Sequence, residues 1–432
     1  MIFSRRHSFN FFFIQLLDLT YPFLPSFSTI IHINMRFATL LAVAAAAVGS
    51  AIAQDTVILG FNAGASDDTG KAKTQADFEK EFKTAKSLQG APGNFTAIRL
   101  YSNIQWGTQT TPIAAFPAAI ATNTKLLLGI WASGTDNIDN ELNTLQAAIK
   151  QYGTKLTDLV IGISVGSEDL YRVSEPGIRN KAGVGNSAET IVKFIKSTRS
   201  KLANTALAKV PLTHVDTWTA WVNTSNKAVI DNIDFLAVNA FPFYESERDN
   251  QIDNAGSLLA SALSATEGVA NGKDVWITET GWAYSGPAFG AADATVDNAG
   301  KYWKEVGCAL FGKKNVFWYT LRDANPDNEV KFAITDNLST KPRYDLSCAA
   351  NVQLPSASTN NTNSDNSTSG ASPSASGSAR PQASGASGSA TRSSGAPAAS
   401  QTGNAPGATS VSIVNSMAMA LSVVFAFAAF AL

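Results

Sequence analysis

Histidine is nearly absent from this chain of 432 residues. There are three, and two of them, His7 and His32, fall in an aromatic-rich stretch ahead of an apparent secretion signal, which leaves His214 alone in the body of the protein. One histidine excludes His-clustered metal sites and most chemistry that relies on an imidazole base. Cysteine is almost as scarce: Cys308 and Cys348 suffice for one disulfide in an oxidising compartment, worth about 4 kcal/mol by loop-closure entropy, and not for a thiolate metal centre. No metal and no cofactor is expected. Charge of one sign is missing too. The formal net charge is −1 and the body of the chain has no basic run, so neither nucleic acid nor a charged membrane surface is an implied partner. The balance suits a neutral substrate, and the protein is expected to be a monomer.

The two ends read as processing signals. From Met35 the sequence "MRFATLLAVAAAAVGSAIAQD" has one Arg, an apolar run too short to span a bilayer, and small residues at Ala51-Ile52-Ala53. Residues 35–53 are therefore expected to be a secretory signal peptide, with residues 1–34 a gene-model extension. An uncleaved anchor there is disfavoured by Asp18, Pro22 and Pro25. Beyond residue 351 the composition turns to Ser, Gly, Ala and Asn, which cannot build a core, so 352–403 is expected to be a disordered, O-glycosylated stalk. It ends in small residues at Gly403 and Asn404, a polar spacer, and the apolar tail "MAMALSVVFAFAAFAL". Those parts, with no basic flank after the tail, describe a GPI-attachment signal in 404–432, cut at Gly403 or Asn404, rather than a tail anchor. Sequons at Asn94, Asn223, Asn337, Asn360 and Asn366 agree with a secreted glycoprotein.

Residues 54–351 hold eight apolar runs: "VILGFNA", "AIRLYS", "KLLLGIWA", "LVIGISVG", "VPLTHVDTW", "FLAVNAFPF", "DVWITETGW" and "NVFWYTLRD". Most are continuously apolar, as in parallel strands buried on both faces. Helical patterning separates them. After the third run Ile138, Leu142, Leu145, Ile149 and Tyr152 recur at helical spacing, Asp139 and Glu141 sit in the first turn, and Gly153 supplies a stop. Eight β-then-α units imply an α/β fold, a (β/α)8 TIM barrel; a doubly wound open sheet is the alternative.

In a barrel, catalytic groups stand at the C-terminal strand ends. That rule selects Glu168 and Glu279, with Asp216 and Asp323 behind them. Two strand-end carboxylates facing one cleft are what glycoside hydrolysis requires; the bland alternative is that each only pairs with an arginine such as Arg99 or Arg322. Aromatics gather at the same ends: Tyr101, Trp131, Tyr171, Trp218, Phe241, Phe243, Tyr244, Trp282 and Trp318. Sugar rings stack on such planes, and of these Phe241 and Trp318 are expected in the core more than Trp282. A competing pattern is Gly162-x-Ser164-x-Gly166, the spelling of a nucleophile elbow. Its serine lacks a base, because His214 falls inside the fifth strand and Ser164 points inward beneath the site.

With these residues placed, the chain resembles fungal glycoside hydrolase family 17, the secreted β-1,3-glucan hydrolases and transferases of the cell wall. "LGFNAGA", "IRLYS", "ISVGSEDLYR", "AVNAFPFYE" and "WITETGW" carry the resemblance, and the signal, stalk and tail look like the GPI-anchored endo-β-1,3-glucanase branch. It implies Glu168 as acid/base and Glu279 as nucleophile of a retaining reaction, with carboxyls about 5–5.5 Å apart. Arg99, Tyr101, Trp131, Ser167, Asn239, Tyr244 and Trp282 become the residues expected to bind substrate, a β-1,3-glucan, and the membrane is reached through the GPI lipid. The chain departs from the family pattern at Ser167, where many relatives have an asparagine for the sugar 2-hydroxyl, and at "LRDANPD" after the eighth run. A glucanosyltransferase using the same intermediate and a non-catalytic glucan-binding wall protein are the alternatives.

Overall fold

The computed structural model describes residues 57–357. The expected signal peptide, nearly all of the stalk, the anchor tail with Gly403 and Asn404, and the sequons Asn360 and Asn366 lie outside the described residues.

All eight apolar runs are strands: β1 (Leu59–Ala63), β2 (Ala97–Leu100), β3 (Lys125–Ile130), β4 (Val160–Ser167), β5 (Leu212–Thr217), β6 (Leu236–Asn239), β7 (Val275–Thr280) and β8 (Val316–Trp318). They pair in parallel in sequence order, and β8 closes on β1. Closure decides for the barrel over the open sheet. One apolar cluster is built almost wholly from the strands, with Ala97, Leu127, Val215, Ala237, Trp276 and Phe317 meeting across the barrel interior. The larger cluster lies between the strands' outer faces and the helices. The two clusters explain the continuous apolar runs: each strand has a buried residue to supply on both sides.

The helices follow their sequence signals. Asp139–Tyr152 stops at Gly153, where φ is +56°. Ala188–Leu202 is capped by Ser187, whose hydroxyl accepts from the Thr190 N–H. Beyond β8, Cys348 is disulfide-bonded to Cys308, and Trp303 Nε1 donates to Leu346 O at 2.9 Å, so the segment leaving the barrel is fastened to its outer layer. Asn94, Asn223 and Asn337 are exposed, as glycan acceptors must be.

The ladder shifts register near the start of β4, where Leu126 pairs with Val160 but Leu127 with Gly162, and again just before a glutamate on both β7 and β4. On β7, Val238 pairs with Ile277 but Asn239 with Glu279, and against β8 the register runs from Ile277↔Val316 to Thr280↔Trp318. β7 therefore holds one extra residue against both neighbours. On β4, Ser164 pairs with Thr213 and Ser167 with Val215, again one residue extra. Such bulges re-aim side chains.

Candidate active site

The bulge on β7 lets adjacent residues serve the same mouth of the barrel. Thr278 Oγ1 donates to Asn239 Oδ1 at 2.9 Å, and Glu279 meets Arg99, whereas Thr280 turns outward to the Tyr302 hydroxyl on the surrounding helix. Strict alternation would have sent Glu279 outward.

Glu279 is fully buried, and its two oxygens differ. Oε1 accepts from Arg99 Nη1 at 2.5 Å and from the Tyr101 hydroxyl at 2.7 Å; Oε2 has no hydrogen-bond partner. Arg99 is itself pinned, since Nη1 also reaches Asn62 Oδ1 at 3.0 Å and Nη2 reaches Ser167 Oγ at 2.9 Å. Asn62 is aimed by donating to Thr278 O and Phe317 O. The Arg99 guanidinium also lies over the Tyr101 ring, 4.7 Å from its centroid. This buried ion pair, with its surrounding hydrogen bonds, holds the carboxylate in one orientation and leaves its second oxygen without a hydrogen bond. Burial, and then the charge of Glu279, push the Tyr101 hydroxyl well above its ordinary pKa, so it remains a donor.

Glu168 is presented differently. Gly166 takes φ +82°, and a Cβ there would lie 2.5 Å from Asp169 Oδ2 and 3.0 Å from the His214 ring. Glu168 then takes φ +60°, ψ +22° and caps the short helix Asp169–Arg172. Left-handed backbone at a non-glycine residue costs of order 1 kcal/mol or more and persists where its surroundings hold it. They do: Glu168 N–H donates to Val215 O, Ser167 N–H to Asp169 Oδ2, and Leu170 N–H to Asp216 Oδ2. The Glu168 carboxyl accepts from Asn239 Nδ2 at 3.0 Å, and its Oε2 lies 3.8 Å from Arg172 Nη2. Burial, followed by the charge of Glu279, pushes its pKa up to about 7. The pair therefore divides into one carboxylate clamped at a single oxygen by an arginine and a tyrosine and one carboxyl able to keep a proton near neutrality, the division an acid/base and a nucleophile need.

The lone histidine supports this turn and has no serine to serve. His214 Nδ1 is 2.7 Å from Val165 O, which only accepts, and Nε2 is 2.8 Å from Asp216 Oδ2. Asp216 also accepts the N–H groups of Leu170, Tyr171 and Thr217. Burial opposes charge on the ring, but Asp216 outweighs it and His214 lies above its ordinary pKa. Ser164 is buried and donates to Gly166 O at 2.7 Å. The G-x-S-x-G spelling is a bulge, not a nucleophile elbow.

The structure redistributes several expected roles. Trp282 is 2 % exposed, its indole N–H donates to Asp293 O, and its ring packs against Phe243 and Tyr302. It is core and offers no face to a sugar, because the turn after β7 folds it back under the loop carrying Asp293. Phe241 is instead partly exposed, beside Tyr319 and Phe332, while Trp318 is buried as expected. Tyr244 does not partner Glu279, a place Tyr101 holds; its hydroxyl is buried without a hydrogen bond. Ser167 accepts from Arg99, so its shorter side chain serves the clamp on Glu279. Trp131 is half-buried at the end of β3, with its indole N–H on Ser133 O. Asp323 takes the N–H groups of Phe332 and Ala333, a loop-holding role, and Arg322 pairs with Asp68, away from both glutamates.

Other members of the site are not marked by the sequence reading. Asn62, Thr278 and Arg172 are buried polar residues inside or beside apolar runs. Glu141, expected only to favour a helix N-terminus, is buried and accepts from Ser102 Oγ, Asn103 N and Trp131 N, joining the ends of β2 and β3. Burial lifts it to about 7 against those hydrogen bonds. In sequence it is only an acidic first-turn residue; its place beside two strand ends is set by the fold.

Residues 60–334 match the BtgE/BtgC glycoside hydrolase domain. The chain belongs to that family. The matched span contains both glutamates and every group bonded to them. A probable glucan endo-1,3-β-glucosidase of Aspergillus oryzae is 52% identical over 301 residues, covering 69% of this chain and 64% of that protein, so the chain spans less than two thirds of that relative's length. Another probable glucan endo-1,3-β-glucosidase, from Aspergillus fumigatus, is 50% identical over 318 residues, 73% of this chain and 70% of that one. Among solved structures, a glycoside hydrolase family 17 β-1,3-glucanosyltransferase from Rhizomucor miehei superposes with a TM-score of 0.52 at 25% identity, covering 67% of this chain and 98% of the other.

Proposed function

We propose that the protein is an endo-β-1,3-glucanase that cleaves internal β-1,3-glucosidic bonds by a retaining double displacement. The observation that carries this is the asymmetry of the carboxylate pair: Glu279 with one clamped and one open oxygen, facing a Glu168 that keeps its proton near neutrality. In the first step Glu279 Oε2 attacks the anomeric carbon while Glu168 gives its proton to the glycosidic oxygen. The C–O bond to the leaving glucan breaks and a glycosyl ester forms. Glu168, now a carboxylate, takes a proton from water, whose oxygen attacks the same carbon and releases Glu279. Burial keeps Glu168 raised throughout, but esterification removes the negative charge that adds to it, so its proton affinity falls when a base is needed. Partly exposed Phe241, Tyr244 and Tyr319 offer ring faces to sugars, and the unbonded Tyr244 hydroxyl offers a polar contact.

The substrate class is supported by the names of the Aspergillus relatives. A second outcome, interception of the ester by a glucan hydroxyl in place of water, is favoured by the Rhizomucor neighbour, which its title calls a glucanosyltransferase. One experiment addresses both. Incubated with a reduced laminari-oligosaccharide, the protein should give shorter products; products longer than the substrate would assign transfer, and none at all would refute both. Labelling by a 2-fluoro mechanism-based glucoside should map to Glu279. We further propose that the protein acts outside the cell, held at the membrane or wall by a GPI lipid, a reading supported by the terminal sequence patterns, the Cys308–Cys348 disulfide and the exposed sequons.

A further inference from the structure

Arg172 is 2 % exposed and only partly satisfied. Nη1 donates to Ser133 Oγ at 2.6 Å and Ser167 O at 2.7 Å, and the guanidinium faces the Trp131 ring at 5.9 Å. Nε and Nη2 have no hydrogen-bond partner. Two buried guanidinium nitrogens without acceptors are costly, and one of them, Nη2, lies 3.8 Å from Glu168 Oε2. That separation is too long for a hydrogen bond and short enough to become one by a small side-chain movement. The other basic side chains of the site are committed elsewhere: Arg99 to Glu279 Oε1, His214 to Asp216.

We propose that Arg172 is the receiver of the Glu168 carboxylate: once Glu168 has passed its proton to the leaving oxygen, Oε2 closes onto Arg172 Nη2, which holds the group as the base of the second step. The inference rests on Glu168 being the acid/base. Arg172 does not touch the sugar in this scheme and acts through Glu168 as a positioning residue. The groups that face Glu168 are Glu279 on β7, Asp216 on β5, Asn239 on β6, Tyr101 and Tyr244 beyond β2 and β6, and Tyr171 on its own short helix; those facing Arg172 are Glu168 and Asp169, with His214 behind Asp169. The two facing carboxylates favour the proton on Glu168, and Arg172 is the cation that opposes them.

Removing the cation should therefore raise the proton affinity of Glu168 in both the free enzyme and the glycosyl-enzyme. In Arg172→Gln, the alkaline limb of kcat/KM on laminari-oligosaccharides should move up by about one pH unit or more. Near pH 6 the second step should slow, so that an activated aryl glucoside gives a burst of phenol absent from the parent protein. Arg172→Lys, which keeps the charge, should return the limbs towards their original positions. A purely structural role would lower activity at every pH without moving the limbs, and limbs that stay in place would overturn the proposal. Where Arg172→Gln does not fold, the decision passes to the parent protein trapped with a 2-fluoro glucoside and crystallised above pH 7. There Nη2 to Oε2 should shorten to hydrogen-bond distance, and a separation of 3.8 Å or more would overturn the idea. The acid/base assignment is checked apart: Glu168→Ala should be rescued by azide on the aryl glucoside whether or not Arg172 has this role.

Discussion

The ends of β4 and β7 begin alike and finish differently. Each strand carries an extra residue just before its glutamate, and both glutamates stand at the barrel mouth. β7 stays extended, and its carboxylate is gripped at one oxygen by Arg99 and Tyr101. β4 instead turns through Gly166 and Glu168 in left-handed conformations, and its carboxyl is held by one bond from Asn239. The strained backbone fixes where Glu168 stands while the sparse contacts leave its protonation free to change. A nucleophile has to be charged and still; an acid/base has to gain and lose a proton within one turnover. Both follow a bulge, and the difference lies in how many donors reach each oxygen.

Glu279→Gln breaks the comparison most severely. Without the open oxygen no ester forms, and laminarin hydrolysis, followed by new reducing ends, should fall on the order of 10⁴-fold or more. Unchanged hydrolysis would sink the assignment. Glu168→Gln should cost about 10²- to 10⁴-fold on laminarin, the usual worth of a general acid, yet far less in the first turnover of an aryl glucoside whose leaving group needs no proton. Equal losses on the two substrates would mean that Glu168 is not the acid.

A third change tests the strained end. In Gly166→Ala the new Cβ meets Asp169 Oδ2 and the His214 ring at a φ that disfavours it. The expected cost is about 1–3 kcal/mol, read as a lower thermal midpoint, together with a loss of activity from the displaced Glu168. An alanine variant with parental stability would show that the turn is not strained.

These differences bear on what the sequence could disclose. All eight strands were legible because continuous apolar runs recur between helical patterns, and both glutamates because they follow such runs. One extra residue does not interrupt an apolar run, so neither bulge was visible, and the side to which Glu279 points had to come from the structure. Trp282 illustrates the same limit. At two residues past β7 it occupies the position of a stacking platform, and only the fold of the following loop makes it core. Arg172 and Glu141 look like ordinary helix charges in sequence, and their importance lies in contacts with strand ends far along the chain.

The smallest expected effect sharpens the comparison through pH. Glu168 and Glu141 are both raised from 4.5 to about 7, each with burial as the leading cause. Between those values the folded protein holds protons that the unfolded chain has released. Stability is therefore fully present below about pH 4.5 and is lost as pH rises through about 7, by at most about 1.4 kcal/mol per pH unit for each group. Glu168→Gln removes one of the two contributions, so its thermal midpoint should fall less than the parent's between pH 5 and pH 7.5. Glu279→Gln should flatten the profile as well, because it removes the negative charge that helps keep Glu168 protonated. Parallel profiles for all three proteins would mean that the two carboxyls do not influence each other, and the coupling on which the double displacement depends would be lost.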